Sequence, residues 1–136
     1  MKEKALRRVV GVARATLGGI WLYQGIVPKW IAPLPFELEI VRCSGLYLVS
    51  PGWTVAAVGA LEVGLGIWLL AGRAARLAVA VATGFMLSMQ MVALWVEPSL
   101  LLGPFGGIVK NAALVALAWI VWELERGRPA PGSDAQ

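Results

Sequence analysis

Apolar residues along this chain gather in four long runs, at about 9–27, 53–71, 77–96 and 105–124, and none shows the two-residue alternation of a strand. Each reaches the about 20 residues that a helix needs to cross a bilayer. A bilayer admits only helices and closed barrels, because no water is present to satisfy a free backbone. Runs this long and unalternating are not barrel strands. The pattern predicts an all-α integral membrane four-helix bundle.

The segments between the runs refine that picture. The stretch 28–52 is too long for a tight turn and too apolar for a free linker. Within it, Pro35 stands before Phe36, Glu37, Leu38, Glu39, Ile40 and Val41, which predicts a short helix with proline in its first turn, ended near Gly45. Ile31, Leu34, Phe36, Ile40 and Leu46 would lie on the membrane surface or cap the bundle, and an interfacial anchor is favoured over a lid. The link 72–76 is short, so the second and third runs form a helical hairpin. Gly103, Pro104, Phe105, Gly106 and Gly107 open the fourth run, with Pro104 suited to a helix start. Gly11, Gly18 and Gly25 recur every seven residues and mark a packing seam, within one chain or between copies. The tail 126–136, with Pro129, Pro131, Gly132 and Ser133, reads as disordered and leaves 1–125 as the transmembrane domain.

Composition agrees with a membrane chain. Of 136 residues 59% are hydrophobic, against about 45 to 50% in soluble domains, and the mean hydropathy is +0.75. The net charge of +4 would suggest nucleic acid if the bases lined one face. They are instead divided by membrane side. Lys2, Lys4, Arg7, Arg8, Arg73, Arg76, Arg126 and Arg128 flank one side, while only Lys29 and Arg42 stand in the long loop on the other. By the positive-inside rule both termini are cytoplasmic in an inner-membrane protein, and no nucleic-acid partner is expected. Trp30, Trp53 and Trp95 at the outer ends of runs, and Trp68, Trp119 and Trp122 near the inner ends, give the same topology from different residues. No small-residue cleavage pattern follows the first run, so it reads as a retained helix. The chain has one cysteine, Cys43, and no histidine. An intrachain disulfide, a CxxC pair and histidine-ligated metal or haem are thereby excluded, and no metal site or catalytic residue is assigned.

Against this apolar background Glu62 stands out. A carboxylate at bilayer depth costs a few kcal/mol or more, so it faces a protein interior and has a partner or a task. With a rise of about 1.5 Å per residue it lies about 14 Å below Trp53, near the middle of a core about 30 Å thick. Lys110, in the fourth run, is the expected partner, directly or through Gln90 or Asn111. Side chains tilt toward a helix N-terminus, which brings Tyr23, Gln24, Glu62, Gln90, Lys110 and Asn111 to the outer half of one bundle. Gly59 and Gly66 beside Glu62, and Gly106, Gly107 and Ala113 beside Lys110, turn both charges toward neighbouring helices. One reading makes this cluster helix glue, with Lys110 snorkelling to the interface. The other makes it an outward-facing pocket, with Met86, Met89 and Leu94 against the apolar part of a ligand. Arg14, near the inner start of the first run, is expected to snorkel.

Several strings resemble a known family. They are Trp21-Leu22-Tyr23-Gln24-Gly25-Ile26-Val27-Pro28-Lys29, Ser44-Gly45-Leu46, Glu62-Val63 followed by Gly64-Leu65-Gly66, and Pro104-Phe105-Gly106-Gly107 with Lys110-Asn111. Together they resemble the DoxX-like family of four-helix membrane proteins. The resemblance implies that Glu62, Lys110 and Asn111 belong to a family pattern. The family takes its name from a membrane subunit of a thiosulfate:quinone oxidoreductase. Thiosulfate chemistry carries over to no residue here, and electron transfer would need a quinone or a partner's cofactor. The expectation is an accessory membrane subunit of a redox system, not catalytic alone, that binds a quinone-like or lipid ligand. Membrane lipids, a redox protein partner and further copies of the chain are the expected partners. A small-solute carrier or channel, or a membrane-protein assembly factor, are the alternatives.

Overall fold

The computed structural model describes residues 2–102 and 107–126, with side chains from Lys4 onward. Its helices are α1 (Lys2–Ile26), α2 (Pro35–Ser44), α3 (Pro51–Ala71), α4 (Ala75–Val96) and α5 (Gly107–Arg126). A π-helical turn, Val27–Ile31, continues α1, and a 3-10 turn, Pro98–Leu101, follows α4. The described residues thus hold five α-helices where four spans were expected. The additional one is the short loop helix α2, whose start at Pro35 and stop before Gly45, a left-handed cap with φ 68°, agree with the sequence reading. Three helices, α3, α4 and α5, are long and apolar enough to cross a membrane by length and composition. Arg14, Tyr23 and Gln24 make α1 more polar than these three. Gly103 to Gly106 and the tail 127–136 lie outside the described residues, so the readings placed on them stand as expectations.

Local chemistry sets the helix ends. The Ser50 hydroxyl accepts the Trp53 backbone N–H at 3.3 Å, and Pro51 takes the first helical position of α3, where its missing N–H costs nothing. Gly72, at φ 68°, closes α3 and turns the chain into α4, giving the expected hairpin. Helices this apolar have little contrast between faces, since the outward surface is as apolar as the core. Leu77, Met91 and Trp119 are more than half exposed on the outer surface.

Small residues decide the inward faces. The helices α1 and α3 run antiparallel and make the most extensive packing in the molecule. A Cβ on Gly25 would stand 2.6 Å from the Gly59 carbonyl oxygen, and one on Gly66 would stand 2.9 Å from that of Gly18. Only hydrogen at these positions lets the backbones approach so closely. Gly18 and Gly25 are therefore the expected seam, formed within the chain. Gly11 has nothing within 4 Å of an added Cβ and does not take part. Below the seam, Ala13, Leu17 and Trp21 of α1 meet Leu69 of α3, Ala78, Val79 and Ala82 of α4, and Leu114, Ala118 and Val121 of α5 in one core. Trp21 and Phe85 stack at a tilt, ring centroids 6.1 Å apart.

Candidate functional site

At the end of the bundle where α1 runs into its π-helical turn, the core gives way to a cavity of about 210 Å³. Trp21 and Met86 form its base, Val55 and Val58 of α3 and Met89 of α4 line its sides, and Phe36, Ile40 and Val41 of α2 cover it. Helix α2 packs on α3 and α4. It caps the bundle, one of the two placements expected of this loop helix. Phe36 and Ile40 are drawn onto the cavity because α2 has no other apolar surface of the chain to cover. Ile31, Leu34 and Leu46 remain exposed.

Glu62 reaches this cavity and is 6% exposed. Its ion-pair partner is Lys29, with Nζ 3.0 Å from Glu62 Oε2. Lys110 makes no ion pair among the described residues, so the direct form of the expected Glu62–Lys110 coupling is not made. The local backbone gives the reason. Pro28, lacking an N–H, sits in the π-helical turn, in which the Ala32 N–H reaches back five residues to the Val27 carbonyl at 2.8 Å. The wider turn swings Lys29 over α3, where Gly59 leaves room for its Cβ: a Cβ on Gly59 would meet that of Lys29 at 3.1 Å. Glu62, three residues further along α3 on the same face, then receives the ammonium. Trp30 fastens the turn by donating its indole N–H to the Ala56 carbonyl at 3.1 Å.

Lys29 serves a second carboxylate. Its Nζ lies 3.1 Å from Glu37 Oε2 and 3.2 Å from Glu37 Oε1, and it also donates to the Gln24 carbonyl at 3.4 Å. The Lys29 side chain is 8% exposed, so one buried ammonium ties α1, α2 and α3 together. Its aligned hydrogen bonds go to Glu37 and Gln24. The Oε2 atoms of Glu62 and Glu37 are held by charge and accept no well-directed hydrogen bond from a described residue.

On the far side of the cavity, the Asn111 side-chain N–H of α5 donates to Gln90 Oε1 of α4 at 2.6 Å. Lys110 lines the cavity beside them. Of the six residues expected at the site, Gln24, Glu62, Gln90, Lys110 and Asn111 line this one cavity. Tyr23 does not. It is 63% exposed on the outer face of α1, because its neighbours Trp21 and Gln24 take the inward positions of that turn. Of the methionines, Met86 and Met89 line the cavity as expected, whereas Leu94 is absent from its walls. Sequence reasoning had counted Lys29 as a loop base and Glu37 as a residue of a surface helix. The signal for Lys29 was its place in the Val27-Pro28-Lys29 string, opposite the Gly59 and Glu62 spacing.

Two carboxylates, two ammonium groups and an amide pair around an apolar hollow can hold the polar end of a molecule while its apolar part lies against Phe36, Val58 and Met89. Among the described residues no group of three or more histidine, cysteine, aspartate or glutamate side chains could hold a metal ion. No curated protein and no solved structure is similar to the chain. A model of the DoxX-like family matches residues 18–119, which include α2, the seam and every residue of the charged cluster. This chain, with its apolar helices and its buried Lys29–Glu62 pair, therefore belongs to the DoxX-like family of membrane proteins.

Proposed function

We propose that this membrane protein binds the polar end of an amphiphile, quinone-like or lipid, in the cavity beneath α2. It would act as an accessory membrane subunit beside a redox partner rather than as a catalyst alone. The single observation that carries the reading is the cavity itself: Glu62, Lys110, Gln90 and Asn111 share about 210 Å³ with apolar walls. Such a hollow, apolar with a few placed polar groups, is the usual form of a small-molecule site. A channel would continue its polar lining through the bundle. Below Trp21 the described core is apolar, which favours a site open at one end.

The same reading makes α1 the fourth span and places both termini on the cytoplasmic side of the inner membrane. Arg14, Arg73 and Arg76 all lie at the end of the bundle away from the cavity, in keeping with the positive-inside rule. The family's association with quinone-linked oxidoreductases supports the redox setting. Extraction in mild detergent, followed by mass spectrometry of co-purified small molecules, tests the proposal. Wild type should retain an amphiphile that Gln90→Leu and Lys110→Met lose. Equal retention, or none, in all three would remove the ligand site.

A further inference from the structure

We infer that the ligand of this cavity is a zwitterion, whose primary amine lies against Glu62 and Glu37 and whose anionic group lies against Lys110 and Asn111, as in an aminophospholipid head group. The inference rests on the proposed amphiphile site and specifies its chemistry. Its first support is the arrangement of charge. Glu62 and Glu37 share one ammonium, Lys29, which lies 3.0 Å from Glu62 Oε2 and 3.1 Å from Glu37 Oε2, so the two carboxylates carry one more negative charge than the cation between them. Glu62 is 8% exposed at its side chain and lines the cavity, so the excess negative charge of this group borders the ligand space. Lys110 lines the same cavity and pairs with no described acidic residue. The backbones of α3 and α5, which carry Glu62 and Lys110, do not pack directly on each other among the described residues, and both side chains line the cavity.

Its second support is neutrality. Two carboxylates and two ammonium groups sum to zero, so a ligand with net charge of either sign would be left uncompensated in a low-dielectric site. A quinone is neutral but brings only acceptors. It could meet Lys110, yet it would desolvate Glu62 and Glu37 and offer them no donor, at the cost of unsatisfied buried groups. A primary amine joined to a phosphate or carboxylate satisfies both walls at once. Size agrees with a head group, since about 210 Å³ is below the about 300 Å³ at which drug-sized sites begin. The chains of a lipid must then leave the cavity. Phe36 and Met89, apolar and respectively 48% and 38% exposed, stand at its rim and supply the exit.

The full-length protein, placed in nanodiscs of phosphatidylcholine with minor phosphatidylethanolamine and phosphatidylglycerol, tests this by native mass spectrometry of the bound lipid. Phosphatidylethanolamine should be enriched about tenfold over phosphatidylcholine, whose quaternary amine has no N–H to donate. Glu62→Gln and Lys110→Met should each abolish the enrichment. Glu37→Gln, on α2 outside the membrane-spanning helices, should weaken it even if the first two variants fold poorly. Displacement by millimolar phosphoethanolamine would support the same chemistry from a water-soluble source, and resistance to it would assign the lipid. Equal retention of the three lipids, a preference for phosphatidylglycerol, or retention of a quinone in their place would overturn the zwitterion and leave the amphiphile site standing. An empty cavity in every preparation would remove both.

Discussion

The two ends of this bundle handle charge in opposite ways. At the end with the α3–α4 hairpin, Arg14 of α1 meets Glu125 of α5 at 3.4 Å, with side chains 20% and 11% exposed. The Arg14 guanidinium lies against Gly72, where a Cβ would overlap it, and Arg76 stacks 4.3 Å above the Trp122 ring. The Trp68 indole donates to the Arg73 carbonyl at 2.9 Å. These charges lie beyond an apolar core in which the space between Leu17, Leu69 and Ala118 measures about 10 Å³, at the lower limit for one water. Arg14 was expected to snorkel, and it does more, pairing across the helices. At the end capped by α2, Lys29 and Glu62 are more deeply buried than Arg14 and border a hollow some twentyfold larger. Charge close-packed against its partners is architecture, whereas charge that faces retained space is available to a ligand.

The sharpest way to break this comparison is to remove Lys29. Lys29→Met leaves Glu62 and Glu37 facing each other with their shared cation gone, and the loss should be about 3 to 5 kcal/mol. Lys110→Met should cost far less, because Lys110 pairs with no described acidic residue. Thermal unfolding in detergent measures both, and a Lys29/Glu62 double-mutant cycle should show strong coupling. Equal losses for the two lysines would mean that Lys29 is not the partner that matters.

The seam between the two ends comes next. Gly25→Ala drives a methyl to 2.6 Å from the Gly59 carbonyl, backbone against backbone, and should cost about 1 to 3 kcal/mol. Gly11→Ala, with nothing within 4 Å, is the control and should be neutral or slightly stabilising through helix propensity. A cost at Gly11 equal to that at Gly25 would point to a seam between copies of the chain.

At the hairpin end the effect should be smaller. Arg14→Gln removes a partly exposed pair and should cost about 1 kcal/mol. It should leave ligand retention unchanged, since Arg14 lies apart from the cavity lining. Lost retention would show that the two ends are coupled. The smallest effect concerns Cys43, whose thiol donates to Glu39 at 3.3 Å. That hydrogen bond, ahead of slight burial and the carboxylate's charge, raises its pKa above the ordinary thiol value. Since the thiolate is the reactive form, Glu39→Gln should speed maleimide labelling at fixed pH below that value. Labelling of intact cells by an impermeant reagent would place α2 outside, and labelling only after permeabilisation would place it inside.

What the sequence determined by itself was whatever depends on composition over many residues or on a local backbone rule. Helices α3, α4 and α5 followed from apolar runs, α2 from Pro35 and Gly45, and the hairpin from the short link at Gly72. Burial of Glu62 was legible because a carboxylate between Gly59 and Gly66 must face a helix, and five of six expected site residues do line one cavity. Tertiary structure alone decided which cation Glu62 receives. Depth along a helix axis orders residues by height but leaves rotation around it open, so Lys110 looked as suitable as any. A π-helical turn at Pro28 carries Lys29 over the gap at Gly59, and the rotation of α1, which turns Trp21 inward, left Tyr23 outside. A direct ion pair needs its charged atoms within about 4 Å, a distance set by how helices cross and not by where their residues fall in the chain.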